Sequence, residues 1–387
     1  MTILFWVSTL LVAYTYLGYP LLIWVFTKLR PRDVHKGGIH PLVSIIIAAR
    51  NEADKIREKI ENTLALRYPK DLLEVLVASD ASDDGTDLIA REYTTQGVRL
   101  VRSPDRGGKE FAQGLAIASA KGDVLVFTDA ATILEQDTLE RLVENFSDPT
   151  VGAVSTEDVL VDASGNPTAE GLYVKYEMLV RRLESRFYSL VGLSGSCFAI
   201  RKELCTEWSA TLASDFMGSI HAARRGYRSV ADPSARGKFP AVASSEMEMP
   251  RKIRTFLRGI TVLMANLDIL NPFHHGRFAF QLASHKLLRF LAPFLLLTIL
   301  AVTGVLVGQQ PFGVLFWLQV GFYGLGIVSA SVTVLQQNQV IRLANYFTMV
   351  QWAMLVAWVG YARGQQQIAW EPSKRREIVA PDHGSTR

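Results

Sequence analysis

The chain has 387 residues, 49% of them hydrophobic and 20% charged, with a formal net charge of +4. That length suggests a globular unit plus something else, and the apolar lean excludes an ordinary soluble composition throughout. The net charge assigns no partner by itself, and the sequence holds no nucleic-acid-binding module, so none is expected.

The apolar residues are unevenly placed. Leu4 to Phe26 carries no charge, and a run of that length crosses a hydrocarbon core of about 30 Å. No Lys or Arg precedes it and no small-residue cleavage site ends it, so residues 1–30 are expected to be a retained anchor, not a signal peptide. Lys28, Arg30, Arg32 and Lys36 follow at once. Such a cluster stays on the cytoplasmic side, facing anionic lipid, with the amino terminus outside.

Residues 31–249 read as a water-facing α/β domain. Leu42 to Ala49 is a short β-branched run, expected as a buried parallel strand, with a helix following to about Leu66. Leu73–Ala78, Val98–Val101 and Val124–Phe127 are the next strands, with a helix over Ala112–Ala120. Strands interleaved with helices at this spacing predict a mostly parallel sheet, in which ligands sit beyond the carboxyl ends of the strands. Polar clusters lie at those ends: Arg50 to Glu52, Asp80 to Thr86, and Asp129. A single Asp-Gly step such as Asp84-Gly85 marks no more than a turn. Three clusters at successive strand ends point to one shared crevice. Cys197 and Cys205 are expected to be ordinary reduced thiols.

With those residues in view, Leu42 to about Gly259 resembles the family 2 glycosyltransferases. The hyaluronan, cellulose and poly-N-acetylglucosamine synthases form a related group. The resemblance implies a GT-A fold, a Rossmann-like α/β domain on the cytoplasmic side with transmembrane helices at both ends. VSIIIAARNE is similar to the family's first strand and implies donor contacts from Ala49, Asn51 and Glu52. SDASDDGT resembles the second nucleotide-binding loop, where Asp80 would bond the donor base beside Ser82; a carboxylate on a base N–H is a charge-assisted contact. Gly108-Lys109 matches a Gly-Lys step and implies a point charge near the diphosphate. Asp129 stands first in the D-x-D motif that holds a divalent cation, Mg²⁺ or Mn²⁺, and the ribose. The third position is Ala131, a departure that leaves one aspartate, with the remaining ligands coming from diphosphate and water.

Gly192 to Arg201 is similar to the segment lining the acceptor end of the pocket. Ser196 replaces the final glycine of G-x-S-x-G, which rules out a serine-hydrolase elbow. Asp215, at an expected helix start, matches the family's general base, and Gly226-Tyr227-Arg228 its following helix-to-strand step. The mechanism implied is a single inverting displacement. The processive members carry a Gln-x-x-Arg-Trp box; here Arg254 stands near its arginine, while Gln and Trp are missing. Arg251, Arg254 and Arg258 share one helical face, the pattern of an amphipathic segment at a membrane surface with its arginines facing either donor phosphate or lipid phosphate; Arg254 is expected at the donor site.

Residues 250–286 are therefore expected as interfacial helices, including Phe278–His285. Residues 287–362 are expected as about three spans, Leu287–Val307, Phe312–Leu335 and Leu343–Ala362, with Arg289 snorkelling to headgroups. Residues 363–387 form a polar tail. Counting spans from an outside amino terminus puts Arg342 inside and Lys374-Arg375-Arg376 outside. His274-His275 reads as a turn or interface pair, not a metal site. The expected protein sits in the plasma or inner membrane, takes a nucleotide sugar (UDP-linked by preference), and glycosylates a lipid-linked or growing surface glycan. A processive synthase that translocates its polymer and a catalytically weak scaffold are the alternatives.

Overall fold

The computed structural model describes residues 1–161, 172–240, 248–331 and 338–365. The chain divides into two compact units. Among the described residues, one holds 1–30, 172–177, 248–331 and 338–365; the other holds 31–161 and 178–240. The tail's Lys374-Arg375-Arg376 lies outside the described residues.

The second unit is built on eight strands: β1 Val43–Ala49, β2 Leu73–Ser79, β3 Val98–Arg102, β4 Val124–Asp129, β5 Ile133–Leu134, β6 Val151–Val161, β7 Cys197–Arg201 and β8 Arg228–Pro240. Their order is β3-β2-β1-β4-β7-β6-β8-β5. β1, β2, β3 and β4 pair in parallel, as the β-α alternation predicts. β7 breaks the pattern, lying antiparallel between β4 and β6, so the sheet is mixed.

Every residue of β1 is buried, because both faces of the sheet are covered. Ile45 and Ile47 face one core cluster with Ile56 and Ile60 of the helix Ile56–Leu64. Ile46 faces the other with Ala112 and Ala116 of the helix Lys109–Ser119. Full burial of an isoleucine side chain contributes about 1.5–3 kcal/mol, so this short strand anchors both layers. β1 lies between β2 and β4, and the strand order reverses there, where such sheets open a ligand crevice.

The first unit contains four helices long and apolar enough to cross a membrane: Thr2–Leu29, Pro272–Val305, Phe312–Ser329 and Gln339–Ala362. This is the build of a membrane protein. Phe278–His285, expected as an interfacial stretch leading into a span, runs directly into the helix Leu288–Val305, and Gly276, at φ 48, kinks the segment ahead of it. The expected end of the third span at Leu335 lies outside the described residues. Arg289 does not snorkel. It is buried and ion-paired to Glu177, with His285 3.6 Å from the same carboxylate. A carboxylate inside the bundle offers the guanidinium a fixed partner, which headgroups do not. The helix Glu248–Ala265 buries Leu257, Ile260 and Leu263, while Lys252 reaches the Tyr346 hydroxyl at 2.6 Å.

Candidate active site

Three loops leave the carboxyl ends of β1, β2 and β4, and backbone pairing brings their functional residues side by side. Ala48 is in register with Asp129, and Ala49 with Ser79. The Asp80 amide continues that pairing onto the Ala49 carbonyl at 3.0 Å.

Asp80 is fully buried. Its Oδ1 accepts the backbone N–H groups of Gly107 and Gly108, at 2.8 and 3.0 Å. Gly108 has φ +91, a backbone region that favours glycine, and it presents Lys109 at the start of its helix. Among the described residues, Asp80 Oδ2 is buried with no hydrogen-bond partner. A desolvated carboxylate oxygen with nothing to accept is costly, which fits an atom kept for a ligand N–H.

The first two loops are laced together. The Asn51 side chain exchanges hydrogen bonds with Asp83, donating at 2.7 Å and accepting from its amide at 3.1 Å. The Ser82 hydroxyl accepts from the Asn51 amide and lies 3.0 Å from Ser79 Oγ. Asn51 is itself left-handed at φ 51, a strain that asparagine tolerates better than most residues. Glu52 is buried, ion-paired to Lys55 at 3.0 Å, and its carboxyl is raised above the usual range chiefly by burial. Asn51 and Ser82 thus shape the loops, and Glu52 lies close enough to Asp129 to feel its charge.

Lys109 Nζ donates to Asp129 Oδ1 and, at 3.2 Å, to the Gly195 carbonyl. The Ser196 carbonyl in turn accepts the Asp129 amide at 3.0 Å. Gly195 faces the third carboxylate: a Cβ built there would lie 3.3 Å from Asp215 Oδ2. Asp215 sits in the first turn of the helix Ser214–Arg224 and its backbone carbonyl accepts the Leu193 amide at 3.0 Å. Among the described residues its carboxylate has no hydrogen-bond partner. A continuous run of contacts therefore links Asp80, Gly107–Lys109, Asp129, Gly195 and Asp215.

The sequence reading missed what holds the Ser194–Ser196 turn. Asp158, near the end of β6, accepts from Ser194 Oγ at 2.7 Å and Ser196 Oγ at 2.6 Å. Burial raises its carboxyl above the usual range, opposed by these hydroxyls. The paired serines flanking Gly195 were the one available signal. Arg254 belongs to the other unit, half-buried on the helix Glu248–Ala265. Cys197 and Cys205 are free and buried, as expected, and burial pushes both thiols up to about 12. A cavity of about 830 Å³ opens at the other end of β4, beside Val124, Arg201 and Trp208, and includes none of the three carboxylates.

A divalent cation would find one carboxylate here. Ala131 offers none, and among the described residues no group of three or more His, Cys, Asp or Glu could hold an ion. Mg²⁺ and Mn²⁺ commonly take one or two carboxylates and complete their shell with substrate phosphates and water. The donor set fits a cation shared with a diphosphate.

Fold and site together define a membrane-anchored α/β enzyme domain with converging carboxylates above a GT-A sheet. Residues 44–208 match the family model "Glycosyl transferase family 2", and the chain carries a glycosyltransferase domain of that family. It is 32% identical over 132 residues to the glycosyltransferase AglE of Haloferax volcanii, covering 34% of this chain and 43% of that one. It is 34% identical over 152 residues to the poly-beta-1,6-N-acetyl-D-glucosamine synthase of Staphylococcus aureus, covering 39% of this chain and 34% of that one. The matches span less than half the length of these curated relatives. A mannosyltransferase of Pyrobaculum calidifontis, solved with GDP-Man and Mn²⁺, superposes with a TM-score of 0.70 at 24% identity, covering 94% of this chain and all of that one. That likeness establishes the GT-A fold.

Proposed function

We propose that this protein is an inverting glycosyltransferase. It moves a sugar from a nucleotide-diphosphate sugar to a lipid-linked or growing surface glycan, at the cytoplasmic face of the plasma or inner membrane. The observation that carries the reading is the run of contacts joining Asp80, Asp129 and Asp215, carboxylates far apart in sequence. The domain layout adopted is an anchor at 1–30, the catalytic domain at 31–249, interfacial helices at 250–286, spans at 287–362 and a tail at 363–387.

In this reading the free Oδ2 of Asp80 accepts an N–H of the donor base. Ala49, Asn51, Ser82 and Glu52 form the walls around the nucleoside. Asp129 holds a divalent cation, Mg²⁺ or Mn²⁺, which when bound supplies Lewis-acid stabilisation to the departing diphosphate. Lys109, already beside Asp129, adds a positive charge where that diphosphate develops its own. Asp215 accepts the proton of the acceptor hydroxyl as its oxygen bonds to the anomeric carbon. The bond from that carbon to the diphosphate breaks, releasing the nucleoside diphosphate with inversion. Arg254 is assigned to the donor phosphate. The GDP-Man complex of the Pyrobaculum neighbour supports this class of donor; UDP-sugars are the preferred one.

The test is a release assay. Purified full-length protein in lipid nanodiscs, given Mn²⁺ and a panel of UDP- and GDP-sugars, is expected to liberate the nucleoside diphosphate. Asp215→Asn is expected to lower that rate by at least about a hundredfold while still binding the nucleotide. Equal rates in the two proteins would remove Asp215 from the chemistry.

A further inference from the structure

We propose that Lys59 is a positioning residue that holds Asp129 in place from beneath. The inference rests on the reading that Asp129 meets a cation and the donor diphosphate. Lys59 lies on the buried face of the helix Ile56–Leu64, beside Ile56, Ile60 and Thr63, and is completely inaccessible. An ammonium on an apolar helix face is costly to desolvate and persists only with fixed partners. Two are provided. Nζ donates to Thr128 Oγ1 at 3.0 Å and to the Thr132 carbonyl at 2.5 Å.

Those partners stand immediately on either side of the Asp129-Ala130-Ala131 segment, and the turn is closed by the Thr132 amide on the Asp129 carbonyl at 3.1 Å. Lys59 thus ties both ends of the turn to one helix. Among the described residues its ammonium pairs with no carboxylate, and the groups that bear on it electrostatically are the Cys197 thiol and the Asp129 carboxylate. The departure at Ala131 gives this arrangement its purpose. With two aspartates, a cation selects its own geometry between them. With one, orientation depends on how firmly the turn is held, and a buried ion bonded at two points holds it more firmly than an apolar side chain would.

The experiment is calorimetric titration of UDP and GDP into full-length protein, in EDTA and in Mn²⁺. In wild type, Mn²⁺ is expected to tighten one nucleotide by about tenfold or more. In Lys59→Met that ratio is expected to fall to within about twofold of unity. Asp129→Asn does the same, and the double variant loses nothing further, the signature of two residues acting as one. A Lys59→Met ratio equal to wild type, or larger because the ammonium merely repels the metal, overturns the proposal. Should Lys59→Met fail to fold, Thr128→Val removes a single acceptor and is expected to lower the ratio by about threefold; an unchanged ratio overturns the proposal equally. Wild type that binds a nucleotide without any Mn²⁺ effect overturns the positioning role alone, whereas wild type that binds none overturns the donor site as well.

Discussion

Replacing Asp80 with asparagine separates its two oxygens by function. The amide has the carboxylate's shape, so its oxygen still accepts the Gly107 and Gly108 amides now held at 2.8 and 3.0 Å. A neutral acceptor is roughly half as strong as a charged one, a loss of about 1 kcal/mol per bond. The other position changes sign. Oδ2, a buried acceptor without a partner among the described residues, becomes an NH₂ donor facing the N–H it is proposed to receive. Losing a hydrogen bond to a charged group costs about 1.5–3 kcal/mol, or roughly ten- to a hundredfold in affinity. Asp80→Asn is therefore expected to bind its nucleotide at least about tenfold more weakly, with a modest fall in melting temperature. Titration calorimetry with UDP, GDP and CDP, beside a melting curve without ligand, reads both quantities. A variant that melts lower yet binds as wild type does would show that Asp80 only staples the Gly107–Lys109 turn.

Gly195→Ala places a methyl 3.3 Å from Asp215 Oδ2; turnover is expected to drop about tenfold while nucleotide affinity stays within about twofold, measured by product release and calorimetry. Burial brings the Lys59 ammonium down to about 8 from 10.5, so between those values the unfolded chain holds more protons and stability rises with pH. Relative to Lys59→Met, wild type should gain up to about 3 kcal/mol from pH 7.5 to 10.5 in pulse proteolysis; parallel curves would refute the depressed value. Arg254→Ala is expected to weaken binding of the donor nucleotide several-fold without changing the melting temperature, and an unaltered titration would leave Arg254 as a lipid-facing or structural arginine.

The sequence alone determined the features that depend on local pattern. β1, β2, β3 and β4 were legible from β-branched runs because two-sided burial demands apolar residues at successive positions. The strand-end places of Asp80 and Asp129 and the helix-start place of Asp215 were legible because each sits in a short motif at such an end. Uncharged runs marked the membrane helices by length. Tertiary structure decided the rest. Nothing in the sequence around Lys59 foretold partners 69 and 73 residues away, and by itself a lysine in a helix reads as a solvated surface group. Asp158 gains its meaning from Ser194 and Ser196, 36 and 38 residues away. Arg289 resembled a headgroup-seeking cation until Glu177 appeared, 112 residues off. Periodicity and turn chemistry are set by neighbours along the chain, whereas the partner of a buried charge is chosen by packing, which no local pattern encodes.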